Sequence, residues 1–483
     1  MELFIGLDVG TTSVSGVALD TESARLVSVV SLPHGAAREA AGVGRAELDL
    51  GALWVAAQKV LGAVAAEVRG RADVGALAVT GQMHGLALVG PEGAPAAPAI
   101  TWQDQRVTER DEKGQAYLER FVADAGGTEA FARMGALPAT GYLGPSLYWL
   151  RRHDRLPAGE VTACLIPDAI VARLTGEGPV TDPTDAASTG LFDVVSGAWD
   201  RELLRRLELP EGLLAPVRAS GEVAGRLDDA VAREVGLPPG LPVAVAIGDN
   251  QASFIGSVRD ARRALLVNIG TGAQVSALAE TFGTRPGIEA RPFPGGRYLL
   301  VGAGLSGGAS YALLRAFYWR VGAALFGASG DDGLYERMNE LAARVPPGCD
   351  GLRCLPLFSG TRVDPTARGS LTGISVDNLT PGHLARALLE GVADQLHGLY
   401  DAMRPLTGHR TDLVGAGNAI ERNPLLARIL ASRFELPLHL PAFEEPAAVG
   451  AALVAAMAVG AFGDIDAAMA STVRHRPAVG PDT

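Results

Sequence analysis

One short pattern occurs twice in this chain and limits its architecture more than any other feature. Phe4-Ile5-Gly6-Leu7-Asp8-Val9-Gly10-Thr11-Thr12-Ser13-Val14-Ser15-Gly16-Val17-Ala18-Leu19 reads as a strand, a tight Gly-Thr-Thr turn and a second strand. A related run returns at Leu265-Leu266-Val267-Asn268-Ile269-Gly270-Thr271-Gly272-Ala273-Gln274-Val275-Ser276-Ala277-Leu278. Gly10-Thr11 and Gly270-Thr271 are offset by 270 − 10 = 260 residues, a little over half of the 483-residue chain. Two hairpins of one design, half a chain apart, predict two similar domains facing one ligand. Two unrelated hairpins are the alternative, because Gly-Thr turns are common.

Between and after the hairpins, short strands alternate with helices. Residues 75–80 read as an apolar strand ending at Gly81-Gln82-Met83-His84-Gly85, and residues 97–101 lead into Trp102-Gln103-Asp104. Helical patterns cover residues 147–150, 168–174, 384–403 and 425–434. After the breaker Pro238-Pro239-Gly240, a buried-type strand over 243–247 ends at Gly248-Asp249-Asn250-Gln251. A further strand at 412–414 ends at Gly415-Ala416-Gly417-Asn418. This alternation predicts an α/β fold, with the halves meeting near 240–250 and divided into residues 1–243 and 244–483.

Composition narrows the chemistry. Only Lys59 and Lys113 are lysines; the other 40 of the 42 basic residues are arginines. Neither lysine sits in a G-x-x-x-x-G-K-[ST] loop or a V-A-I-K strand, which excludes a P-loop NTPase and a protein kinase. Nucleotide phosphates would have to be held by backbone N–H groups, hydroxyls and metal. The net charge of −12 argues against general nucleic-acid binding. Cys164, Cys349 and Cys354 form no C-x-x-C pair, so neither a disulfide framework nor a zinc site is implied. The N-terminus reaches Asp8 after a few apolar residues and is no signal peptide. The long apolar stretch 446–462 is Ala- and Gly-rich and begins with Pro, which predicts a buried helix rather than a membrane span. The expectation is a soluble cytoplasmic protein, able to form a homodimer, with a small-molecule partner and neither nucleic acid nor membrane.

In open α/β sheets ligands bind beyond the carboxyl ends of strands, where every polar cluster above lies. Asp8 precedes a turn whose N–H groups, with the Thr11 and Thr12 hydroxyls, could hold phosphate oxygens. A carboxylate beside phosphates calls for a cation between them, so Asp8 points to Mg²⁺ through water; a carboxylate satisfying its own turn is the alternative. Asp249 could accept the proton of an attacking hydroxyl, or could cap the helix that follows. Gln82, Met83, His84, Trp102 and Asp104 read as a small polyol site, an indole face covering C–H surface and polar groups binding hydroxyls. Taken one at a time, His84 and Trp102 have simpler readings as a loop histidine and a packing residue. Gly415 and Gly417 permit close backbone approach, useful under an adenine or ribose.

In order, these pieces resemble the FGGY family of carbohydrate kinases. The matching stretches are Gly6-Leu7-Asp8-Val9-Gly10-Thr11-Thr12-Ser13, Gly81-Gln82-Met83-His84-Gly85, Gly248-Asp249-Asn250-Gln251, Gly270-Thr271-Gly272, Phe358-Ser359-Gly360-Thr361-Arg362 and Gly369-Ser370-Leu371-Thr372-Gly373-Ile374. The resemblance implies two actin-like (ribonuclease H-like) domains flanking a deep cleft that holds ATP and sugar. It implies Asp249 as base, Asp8 near Mg²⁺, and phosphates held by Gly10, Thr11, Thr12, Gly270 and Thr271. Gly415, Gly417 and Asn418 would lie near adenosine, and Asn250 beside the sugar. Gln82-Met83-His84-Gly85 looks like the kinases for the ketoses xylulose and sedoheptulose. Thr101-Trp102-Gln103-Asp104, Gly141-Tyr142-Leu143-Gly144, Asp185-Ala186-Ala187-Ser188 and Gly248-Asp249-Asn250-Gln251-Ala252-Ser253 favour sedoheptulose. The chain departs from the family pattern at Ser146, where a lysine is usual, at Thr361 before Arg362, and at Asn418. An alternative of another class is an actin-like, nucleotide-dependent sugar sensor without phosphotransfer.

Overall fold

A computed structural model describes residues 2–482 apart from Ala328, Asp331, Asp332, Ser359 and residues 361–365. Ser359, Thr361 and Arg362 of the fifth matching stretch therefore lie outside the described residues. Two sheets organise the molecule, and they share one strand pattern. In the first, β1 (Glu2–Val9), β2 (Ser13–Asp20) and β3 (Arg25–Pro33) form an antiparallel meander. Strand Asp73–Gly81 pairs parallel to β1 on its other side, and Pro242–Ala244 pairs parallel to that. In the second, Ala264–Ile269, Ala273–Ala279 and Arg297–Leu305 form the meander. Asp412–Ala416 runs parallel to the first of these and Leu438–His439 follows it, while Ile288–Phe293 extends the outer edge. The two Gly-Thr turns thus join equivalent strands of the two sheets.

The strand expected over 243–247 is two short pieces, Pro242–Ala244 and Ile247–Gly248, both paired with Asp73–Gly81. A cut at 243/244 falls inside the first piece, so the first sheet runs on to Gly248 before the second begins at Ala264. A continuous apolar run hides such a break, because it carries no turn residue to mark it.

Apolar packing explains the alanine-rich C-terminal stretch. Helix Pro446–Ala458 lies against β1, strand Asp73–Gly81 and helix Asp249–Ser257, with Ala448 to Ala456 all buried. The contact is backbone-close. A Cβ on Gly6 would fall 1.8 Å from Ala448 O, and one on Gly450 only 1.9 Å from Ala252 O. Only glycine and alanine allow that approach, so the stretch is a core helix as expected. Helix α1 (Leu50–Val68) is the one helix among the described residues both long and apolar enough to cross a membrane; half of it is buried, against β2 and β3.

Candidate active site

Residues at and just past strand ends of both sheets meet in one place. A cavity of about 260 Å³ lies there, lined by Met83, His84, Trp102, Asp249 and Asn250. Ser253, Asn268, Gln274, Arg291 and Ala303 complete the wall. A larger but shallow depression of about 560 Å³, at Asp401, Arg404, Pro405 and His409, contains none of the expected residues.

Asp249 opens helix Asp249–Ser257, and Gly248 rather than Asp249 occupies the cap position, without a side-chain capping bond. The carboxylate is therefore not spent as a cap. Burial raises its pKa to about 6, opposed by the Arg291 guanidinium and the Asn250 N–H. A carboxylate tuned there is ionised at neutral pH and still basic enough to take a proton in a transition state.

Asp8 ends β1 beside it. Its Oδ1 is buried without a hydrogen-bond partner. Burial, then the carboxylates of Asp249 and Glu445, push its pKa up to about 8. Like charges held together without a basic partner among those causes are a donor set for a hard divalent cation. Among the described residues no three His, Cys, Asp or Glu side chains cluster closely enough to coordinate Mg²⁺ directly. Asp8 would hold it from one side, and when bound it would offset phosphate charge.

The first Gly-Thr turn is fastened from three directions. Gly10 N–H donates to Ser13 O (3.0 Å), His34 Nε2 contacts Thr11 O (2.8 Å), and Trp102 Nε1 donates to Thr11 Oγ1 (3.1 Å). Trp102 therefore joins the cavity wall to the turn. The second turn is braced by the start of helix Gly307–Phe326, where Gly308 N donates to Gly270 O (2.9 Å) and Ala309 N to Thr271 O (3.0 Å). Gly270, Thr271 and Gly272 stay exposed to a ligand. Asn268 and Gln274, facing each other across this hairpin, both reach the cavity.

On the opposite wall, His84 stacks on Tyr142 with ring centroids 4.1 Å apart. Its Nδ1 donates to Ser188 O at 2.9 Å, which fixes the tautomer because a carbonyl only accepts. Its φ of +64° is left-handed, a strained setting for a non-glycine residue. Met83 lies beside it, with its sulfur 3.9 Å from Arg291 Nη1.

Three expected contacts are placed otherwise. Asp104 is fully buried, its oxygens taken by the Ala46 and Arg106 N–H groups and the Arg106 guanidinium (2.8–2.9 Å). It shapes the Trp102 loop and does not line the cavity. Gln82 turns its amide N–H to Gly10 O (3.3 Å), bracing the turn instead of lining the cavity. Gly415 is buried in its strand, where a Cβ would meet Leu438 and Ile420, so it lies beneath the Gly417-Asn418 loop. Gly417 and Asn418 do reach the surface of that loop. Gly417, at φ +92°, packs so tightly that a Cβ would lie 2.5 Å from Ile269 O.

The chain's relationships agree with this geometry. The model of the FGGY family of carbohydrate kinases matches its N-terminal domain at residues 3–256 and its C-terminal domain at residues 265–459. The chain belongs to the FGGY family of carbohydrate kinases. It is an ATP-dependent sugar phosphotransferase with a two-domain, actin-like fold, which sets aside the sensor without phosphotransfer. Glycerol kinase from Trichlorobacter lovleyi is 32% identical over 96% of this chain and 91% of its own length. Xylulose kinase from Streptomyces coelicolor is 30% identical over 99% and 92%. The crystal structure of xylulose kinase from Rhodospirillum rubrum superposes with a TM-score of 0.85 at 28% identity, covering 99% of this chain and 94% of that one.

Within this FGGY kinase, sequence reasoning missed Arg291, Glu289, Asn268 and Gln274. Asn268 and Gln274 carried a signal, as polar residues interrupting apolar strands beside the Gly-Thr turn. Arg291 carried none. It alternates with Glu289 along one strand, and Glu289 Oε2 accepts its Nε (3.1 Å) and Nη2 (2.6 Å), a pairing that reads as an ordinary solvated ladder.

Proposed function

We propose that this kinase transfers the γ-phosphoryl group of ATP to the terminal primary hydroxyl of a ketose, with sedoheptulose as acceptor. The observation that carries the reading is one cavity that gathers Asp249, His84 and Trp102 beside the Asp8 turn. The acceptor hydroxyl gives its proton to the Asp249 carboxylate as its oxygen bonds to the γ-phosphorus. The bond from that phosphorus to the β–γ bridging oxygen breaks, and ADP departs. N–H groups and hydroxyls of the Thr11-Thr12 and Gly270-Thr271 turns bind the phosphates, without a lysine, while the Gly10 N–H closes its own turn onto Ser13 O. Trp102 covers the sugar's C–H surface, while His84 and Asn250 orient its hydroxyls. Gly417 and Asn418 lie under adenosine, and closure of the halves excludes water.

Sedoheptulose is favoured by the sequence around Trp102, Tyr142, Ser188 and Asp249. Xylulose is the second reading, supported by relatives named xylulose kinase. ADP release measured with sedoheptulose, D-xylulose, D-ribulose and glycerol at equal concentration decides between them. The largest kcat/KM is expected for sedoheptulose. A largest value for xylulose moves the assignment to the five-carbon sugar, and one for glycerol overturns the ketose reading.

A further inference from the structure

One buried turn touches both the residue before the base and the acceptor wall, although neither lies near it in sequence. Helix Pro183–Ala186 runs into the short turn Ala187–Thr189, and Asp182, Thr184, Asp185 and Thr189 are fully buried. At one end, Thr184 Oγ1 accepts the N–H of Gly248 at 2.8 Å, the residue just before Asp249. The same hydroxyl donates to Asp182 Oδ1 at 2.6 Å. Asp182 is itself fixed, because Oδ1 accepts Asp185 N–H (2.9 Å) and Oδ2 accepts the Ser220 hydroxyl. Both valences of the Thr184 hydroxyl are thereby directed, one toward the strand end that presents the base.

At the other end, Ser188 holds His84 twice. Its Oγ accepts the His84 N–H at 3.0 Å and its carbonyl accepts His84 Nδ1 at 2.9 Å. The Ser188 hydroxyl donates onward to Asp185 O at 2.8 Å. These bonds hold His84 in its left-handed conformation, which a loop histidine would not keep unaided. Thr184 and Ser188 also line a small pocket behind His84 and Arg291, with room for about one water.

We propose that Thr184 and Ser188 are positioning residues: through residues 182–189 they set Asp249 and His84 at a fixed separation, so that the acceptor hydroxyl held by the His84 wall meets the base. The inference rests on the kinase reading above. Neither residue touches substrate; Thr184 acts through Gly248 on Asp249, and Ser188 through His84 on the sugar. Positioning governs rate steeply, because a displacement of about 1 Å can cost about 10²-fold.

The test compares Thr184→Val, which keeps the shape and removes the hydroxyl, with Thr184→Ser, which keeps the hydroxyl. Rates are taken per folded molecule, counted by ATP binding. Thr184→Val is expected to lower kcat by about 10- to 100-fold, with the acceptor KM held within about twofold. Thr184→Ser should restore kcat to within about threefold of the parent. Ser188→Ala is expected to act the other way, raising acceptor KM more than it lowers kcat. If Thr184→Val does not fold, Thr184→Ala is read in its place. A Val or Ala variant with parental kcat overturns the inference, as does a Ser variant as slow as Val. If the parent phosphorylates no sugar, the kinase reading itself falls; if the parent turns over and Thr184→Val matches it, only this inference does.

Discussion

With Asp249 as the proposed base, Asp249 and Arg291 would set the pH response of the reaction. The base works ionised and titrates near 6, so kcat/KM should rise with pH through about 6 and level above it. Arg291 lowers that pKa, and Arg291→Met should therefore move the acid limb to higher pH. A pH–rate profile checks both, and an unmoved limb in the variant would show that Arg291 does not act on the base. Asp8 has the opposite consequence for stability. Its pKa is 3.8 in the unfolded reference and about 8 in the fold, so the native state keeps a proton that the unfolded chain releases. Without metal or nucleotide, stability should fall as pH rises from about 4 to about 8, and Asp8→Asn should flatten that fall. Thermal melts across the range measure it. That Asp249, His84 and Trp102 gather at one cavity was legible in sequence because each stands just past an apolar strand. Asp104 was misread for the same reason. Its position also follows a strand, and only the fold reveals that Arg106 and Ala46 consume its oxygens.

Among the elements, both Gly-Thr hairpins and the strand before Gln82 were readable, since apolar alternation and turn residues mark their ends. The broken strand at 242–248 and the tie between residues 182–189 and the base were not. Both depend on partners some 60 or more residues away, as with Thr184 and Gly248. The alanine-rich helix Pro446–Ala458 was readable as buried but not as the support of the base. It carries helix Asp249–Ser257 on backbone contacts that leave no space for a side chain. Gly450→Val should push the two helices apart and lower stability by about 1–3 kcal/mol or more, the usual cost of overpacking. Urea unfolding would show it as a lowered midpoint, and an unchanged midpoint would mean that this contact is looser than described.

For the whole molecule, the repeat at offset 260 became two sheets with one strand pattern and one site between their ends. The near-absence of lysine takes on meaning at this scale. Lys59 and Lys113 are both exposed and neither lines the cavity. Lys59→Ala and Lys113→Ala should leave kcat within about twofold, since surface changes of this kind cost little. A folded but inactive lysine variant would contradict phosphate binding by the hairpins alone. In the proposed reaction a base at the end of the first sheet takes a proton from a ketose while turns of both sheets hold the phosphates. Asp249→Asn, nearly isosteric and unable to accept that proton, tests it most directly. Sugar-dependent ADP release should fall by at least about 10²-fold, while calorimetry still shows the ketose bound. A variant that binds the sugar and phosphorylates it at the parental rate would contradict the account.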